Sequence, residues 1–146
     1  MGLKRAEHWA TREFHTFLLA RAKVPFAWGT NDCCLFPADA IKSFTGVDLA
    51  ADFRGKYTDQ AGAFAAIKSV ANGVTVADAA AYCAAKHELK EWPFPLQAKR
   101  GDLVVIDQPG GLIAGVVHLN GRHVITVSET GLVRLPITAV KRAWAV

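Results

Sequence analysis

The chain has 146 residues, of which 51% are hydrophobic and 21% are charged, a composition that excludes a disordered polymer and permits one continuous core. Its formal net charge is +4, but the 17 Lys and Arg residues are scattered, so a nucleic-acid-binding surface is not expected. No apolar run approaches the length of a membrane span, and the N-terminus lacks a signal-peptide core, so we expect synthesis and folding in the cytoplasm. We therefore predict a single domain over residues 1–146 that binds no nucleic acid and does not span a membrane.

The three cysteines predict neither a disulfide framework nor a metal site. Cys33 and Cys34 are adjacent in the sequence, and Cys83 lies far from both. Zinc ligands usually come in pairs with C-x-x-C or H-x-x-x-H spacing, and the sequence has no such pair. We therefore expect no metal and no cofactor, and we interpret Cys83 as a small core residue.

The first half of the chain carries helical patterns. Apolar residues recur at helical spacing over residues 5–22, which predicts a first amphipathic helix. Pro37 is tolerated only near the start of a helix, so the second helix is expected to begin at Cys33 or Cys34, and Gly46 is a typical helix end. Two further helices are predicted, from Thr58 or Asp59 to Val70 and from Val76 to His87.

The second half of the chain carries strand patterns. The apolar run that follows Gly101-Asp102 is typical of a buried strand, and Asn120-Gly121 is a strong hairpin signal between two later strands. Helices followed by strands predict an α+β fold with an antiparallel sheet. The predicted strands cover residues 101–107, 112–119, 122–127, 132–135 and 143–146, with a short turn of helix at 136–140.

The chemistry, if the chain has any, is expected at Cys33. Asn31 and Asp32 are good N-cap residues, which would place Cys33 in the first helical turn. Unpaired N–H groups and the positive end of the helix dipole favour a thiolate there, whereas the Asp32 carboxylate would raise the thiol pKa. Phe26 and Trp28, just before this turn, either form one wall of a cleft or belong to the core.

This order of motifs resembles the papain-like cysteine peptidases of the NlpC type. That family has Asp-Cys-Ser-Gly-Leu-Val at the nucleophile helix, then Gly-Asp-Leu-Val-Phe-Phe, then a strand with His-Val-Gly-Ile-Tyr. Asp32-Cys33 matches the start of the first motif, and residues 101–106 match the second well. The resemblance implies a papain-like fold and hydrolysis of peptide bonds in peptidoglycan stems.

A closer resemblance is to a phage-encoded offshoot of that family, which is found among tail genes. The offshoot has Pro-Phe-Ala-Trp-Gly before Asp-Cys, then Phe-Arg-Gly-Lys/Arg-Tyr, and ends like Gly-Leu-Val-x-Leu-Pro followed by Ala-Trp. These motifs occur here at Pro25–Gly29, Phe53–Tyr57, Gly131–Pro136 and Ala143-Trp144. The resemblance therefore covers most of the chain.

The third peptidase motif departs from the family at its catalytic positions. Aligning residues 113–117 with His-Val-Gly-Ile-Tyr places Ile113 where the general-base histidine belongs, and Ile125 falls at the third, orienting position. A peptide's leaving amine needs a proton, which neither isoleucine can supply. His123 projects to the same strand face as Ile125, about 7 Å away along the strand, so a Cys33–His123 pair is the catalytic alternative.

The resemblance leaves three functions open. The first is a structural subunit of a phage tail tip or baseplate, made in the host cytoplasm and assembled with other tail proteins into the virion. The second is a peptidoglycan-cleaving cysteine peptidase that acts during phage DNA delivery, with Cys33 as nucleophile and His123 or a partner-supplied group as base. The third is a domain that binds stem peptides in the former active-site cleft without cleaving them.

Overall fold

The computed structural model describes residues 2–146 and contains four α-helices followed by a five-stranded antiparallel sheet, which confirms the α+β prediction. The strands lie in the order β4-β3-β2-β1-β5. Within residues 2–146, no helix is both long enough and apolar enough to cross a membrane. The helices are α1 (Phe14–Arg21, after a π-helical turn at Trp9–Glu13), α2 (Leu35–Thr45), α3 (Gln60–Ala71) and α4 (Val76–Lys86), and the strands are β1 (Leu103–Gln108), β2 (Gly111–Val117), β3 (His123–Ser128), β4 (Gly131–Pro136) and β5 (Val140–Trp144).

The first helix begins later than predicted, whereas α2, α3 and α4 agree with the prediction to within two residues. The residues before Trp9 are not helical because the Ala6 N–H donates to the Phe44 carbonyl at 2.8 Å, which ties this segment to the end of α2. Gly46 ends α2 in the left-handed conformation (φ 76°), as its sequence position predicts.

The sheet is built from hairpins. Gln108 and Gly111 close the turn between β1 and β2, and Ser128 and Gly131 close the turn between β3 and β4. The predicted Asn120-Gly121 hairpin is confirmed, because the Asn120 side-chain oxygen accepts from the backbone N–H groups of the two residues after Gly121. Strand β5 begins three residues earlier than predicted and pairs with β1 across a register shift.

A core fills each face of the sheet. The larger core, on the helical face, contains several aromatic rings, among them Phe14, Phe36 and Phe44, and it also contains Cys83 as predicted. The smaller core, on the opposite face, consists mainly of aliphatic strand residues such as Val104 and Val117. Residues of β1, β2 and β3 are buried on both faces, and these strands therefore position the groups described below.

The buried Asp102 side chain connects distant parts of the chain. One carboxylate oxygen accepts from the Trp92 indole N–H and from the Lys99 N–H, both at 2.8 Å. The other accepts from the Val146 N–H at 3.0 Å and from the Arg5 guanidinium at 3.3 Å, and Arg5 also donates to the Val146 carbonyl. The Gly-Asp motif thus joins the start and the end of the fold to the entrance of β1.

We expect Asp102→Ala to lower the free energy of unfolding by about 3–5 kcal/mol, because it leaves buried donors and the Arg5 charge without their acceptor. Urea unfolding monitored by tryptophan fluorescence measures this loss. Asp107→Ala is the control, since Asp107 lies exposed on β1 and should change stability little. Equal losses in the two variants would contradict the role assigned to Asp102.

Candidate functional site

An open cleft of about 740 Å³ lies between the helices and the sheet. Its helical side carries aromatic rings, and its sheet side is formed by β2, β3 and β4. Phe26 and Trp28 form part of one wall and pack edge to face with ring centroids 4.8 Å apart. They also pack against the larger core, so both alternatives given for them hold. Residues of the cleft used below are Phe26, Trp28, Asp32, Cys33, Tyr57, Phe64, Leu112, Ile113, Thr126, Val127 and Glu129.

The Asp32 carboxylate organises one end of the cleft and is fully buried. One oxygen accepts from the backbone N–H groups of Cys34 and Leu35, both at 2.9 Å, so the predicted capping role is confirmed. The other oxygen accepts from the Gly29 N–H at 2.9 Å and from the Tyr57 hydroxyl at 2.7 Å. Burial, followed by the bond to Asp32, raises the pKa of the Tyr57 phenol, which therefore stays a hydrogen-bond donor.

A chain of ion pairs lies next to the Asp32 end of the cleft. Asp39, which the helical pattern places outside, is half-buried between Arg21 and Arg54, each at 2.7 Å. Arg54 also donates to Asp48, and Arg21 donates to the Asn31 side-chain oxygen. Sequence reasoning missed this network, although the motif Phe53–Tyr57 contains one of its arginines.

The thiol of Cys33 is not activated by the helix. Burial, and then the neighbouring Asp32 carboxylate, raise the pKa of the Cys33 thiol to about 11, although a hydrogen bond from the Ala114 backbone partly opposes this. The helix start does not offer Cys33 the free N–H groups expected there, because Asp32 occupies those of Cys34 and Leu35. Burial also raises the pKa of the Cys34 thiol.

The structure does not bring Cys33 and His123 together. On β3, Thr126 lines the cleft together with Cys33 and donates its hydroxyl to the Ala114 carbonyl at 2.9 Å. His123 lies three residues earlier on β3, about 10 Å along the strand, outside the cleft and with its ring against Asn120. His123 thus lies outside the cleft that contains Cys33, whereas a general base must lie within hydrogen-bond reach of its nucleophile.

The two isoleucines at the expected catalytic positions lie apart. Ile113 lines the cleft, but its side chain packs against the smaller core, on the sheet face away from the helices. Ile125 is buried in the larger core and borders a separate groove of about 380 Å³ with His15, His118 and Arg134.

Within the described residues, the cleft has no positively charged side chain and no group of side chains that could hold a metal ion. No Lys, Arg or His of residues 2–146 lines it, and its two carboxylates belong to Asp32 and Glu129. Nor does this part of the chain gather three or more His, Cys, Asp or Glu side chains in an arrangement that could hold a metal ion. The arrangement therefore offers apolar contacts to a ligand, and no histidine of residues 2–146 lines it.

We expect the alkylation rate of Cys33 to rise tenfold per pH unit from pH 7 to pH 10 without a plateau, because its thiol remains protonated over this range. Iodoacetamide labelling with mass spectrometry of the separate cysteine peptides measures the rate. A peptide with an unperturbed cysteine, which reaches its plateau above about pH 8.5, is the reference. His123→Ala should not change the profile, and a Cys33 plateau near neutral pH would contradict this account.

We expect Tyr57→Phe to lower the free energy of unfolding by about 1.5–3 kcal/mol, because it removes a buried hydrogen bond to a carboxylate. Chemical denaturation measures the loss. Tyr82→Phe is the matched control, since Tyr82 donates to the more exposed Asp52 and should cost less. A larger loss for Tyr82→Phe would contradict the central position given to Asp32.

Comparison with known proteins gives one match. No curated protein and no solved structure is detectably similar to the chain. The model of one family, described as a domain of unknown function (DUF6950), matches residues 4–146. Because this match covers nearly the whole sequence, the chain belongs to the DUF6950 family.

Proposed function

We propose that the chain is a non-hydrolytic NlpC-type, papain-like domain that serves as a structural subunit of a phage tail tip or baseplate. The observation that carries the loss of hydrolysis is that no histidine of residues 2–146 lines the cleft that contains Cys33. The assignment to a phage tail rests on the resemblance of the sequence motifs.

The papain-like part of the proposal is supported by the order and packing of the elements. An Asp-Cys pair precedes α2, which packs on an antiparallel sheet that begins just after Gly101-Asp102. The cleft between helices and sheet contains Cys33, as a papain-like arrangement requires. These features agree with the NlpC-type resemblance of the sequence.

The absence of hydrolysis is supported by the state of the thiol. With a pKa of about 11, only about one Cys33 side chain in ten thousand is a thiolate at pH 7. A family enzyme would use a histidine both to activate the thiol and to protonate the leaving amine. Ile113, at the aligned position, can perform neither step.

The structural role is supported by what the tail-associated motifs do in this chain. Phe26 and Trp28 of the first motif form a cleft wall, and Tyr57 of the second donates to Asp32. Gly131 of the third closes a β-turn and packs closely against the Ala22 carbonyl. These residues build the scaffold rather than a reaction centre, as expected of a subunit that binds other tail proteins after synthesis in the host cytoplasm.

We expect purified protein to release no stem-peptide fragments from sacculi, and phages carrying Cys33→Ala to assemble and deliver DNA normally. Chromatography of the soluble fragments and plating efficiency measure the two outcomes, with an active cell-wall peptidase as the positive control. Release by the wild type but not by Cys33→Ala would establish the peptidase alternative instead. Cys33→Ala virions that assemble but fail to deliver DNA would also count against the proposal.

A further inference from the structure

The sheet is split between β2 and β3. Within residues 2–146 these strands pair at Val116–Ile125 and Val117–Val124, and a backbone bond from the His118 N–H to the His123 carbonyl continues the pairing toward the hairpin turn. They diverge on the other side of Gly115. A Cβ on Gly115 would lie 2.3 Å from the Ile125 carbonyl oxygen, so only glycine permits the contact at which the split begins. The gap between the diverging strands opens into the cleft.

The diverging strands present backbone hydrogen-bonding groups to the gap. In an antiparallel ladder these groups point alternately to the two sides of a strand. The bond from the His118 N–H to the His123 carbonyl shows which residues of β2 and β3 direct their groups toward each other. When this alternation is followed along the strands, the N–H and C=O groups of Leu112 and Ala114 on β2 point toward the gap. Those of Val127 on β3 do the same. Those of Leu112 and Val127 have no strand partner there within residues 2–146.

The two groups of Ala114 are already used. Its carbonyl accepts from the Thr126 hydroxyl, and its backbone also bonds to the Cys33 thiol. The remaining donors and acceptors, at Leu112 and Val127, border the gap from opposite strands and are offset by two residues along the strands. An extended polypeptide is the ligand whose own N–H and C=O groups match such a pair of strand edges.

The charge of the cleft limits which polypeptide can enter. The chain has 17 Lys and Arg residues and 5 His residues, yet none of those in residues 2–146 lines the cleft. Asp32 is saturated by four donors, so Glu129, exposed on the turn between β3 and β4, is the carboxylate left to meet a ligand. Stem peptides carry several free carboxylates and would find repulsion there rather than a partner.

We propose that the cleft holds an extended, apolar segment of a partner protein, inserted as a short strand between β2 and β3 with a basic residue next to Glu129. This inference rests on the proposed function and names the kind of partner segment that the non-hydrolytic domain binds. Backbone bonds to Leu112 and Val127 fix the segment, and its apolar side chains contact the rings of Phe26 and Phe64.

The test uses three fluorescein-labelled hexapeptides against the full chain. The first is Lys-Val-Thr-Val-Val-Ala-amide with the label joined to its N-terminus through an aminohexanoyl spacer, so that the Lys side chain stays charged. The second has Glu in place of Lys, and the third is the first with alternate backbone nitrogens methylated. We expect fluorescence anisotropy to show at least tenfold tighter binding of the first peptide than of the other two. In ¹H–¹⁵N spectra, the first peptide should shift the amide signals of Leu112 and Val127.

Two charge-reversal variants test the role of Glu129. Glu129→Lys should reverse the preference, so that the Glu peptide binds more tightly than the Lys peptide. Glu7→Lys makes the same charge change at an exposed position outside the cleft and should leave the tenfold preference unchanged. Both positions are exposed, so neither substitution should impair folding.

The outcomes separate this inference from the proposed function. Absence of binding by the first peptide, equal binding of the Lys and Glu peptides, or no effect of backbone methylation would overturn the strand insertion and leave the non-hydrolytic role standing. Cleavage of a synthetic stem peptide that requires Cys33 would overturn the proposed function itself. Tight binding of an intact stem peptide would contradict the proposed ligand, which is an apolar segment with one basic residue.

Discussion

The arrangement around the cleft depends on one buried carboxylate, that of Asp32. A buried carboxylate is tolerated only when hydrogen-bond donors surround it, and here four donors come from the approach loop, the start of α2 and Tyr57. The hydrogen bonds that give the site its shape also disfavour the Cys33 thiolate, which a cysteine peptidase would use as its nucleophile. The N–H groups that could have stabilised a Cys33 thiolate are bound to Asp32, whose charge instead disfavours the thiolate.

The local elements could be predicted from the sequence, whereas several boundaries and contacts could not. Periodicity located α3 and α4, and turn chemistry located the Asn120 hairpin, because these signals lie within a few residues. The start of α2 was predicted to within two residues, although the pattern around Pro37 does not show that Asp32 accepts from the N–H groups of Cys34 and Leu35. The early part of α1 was wrong, since Ala6 is tied to Phe44, far away in the sequence.

The candidate site shows the same division. Cys33 and its aromatic neighbours were recognisable from sequence, because they lie within one short stretch. The position of His123 was not, since strand parity gives the face of a side chain but not its distance from a helix in another part of the chain. The split at Gly115 and the pairing of Arg21 and Arg54 with Asp39 are likewise properties of tertiary packing, for which the local pattern contains no signal.

The bonds of Asp102 also have a mechanical consequence. Arg5 and Val146, near the two ends of the described chain, meet at this carboxylate and bond to each other. A force that pulls the ends apart therefore loads these few polar bonds before it reaches the hydrogen bonds between strands. The edge strand β5 would then peel from β1 one bond at a time, so the ends of the domain would yield under tension while the sheet next to the cleft kept its structure.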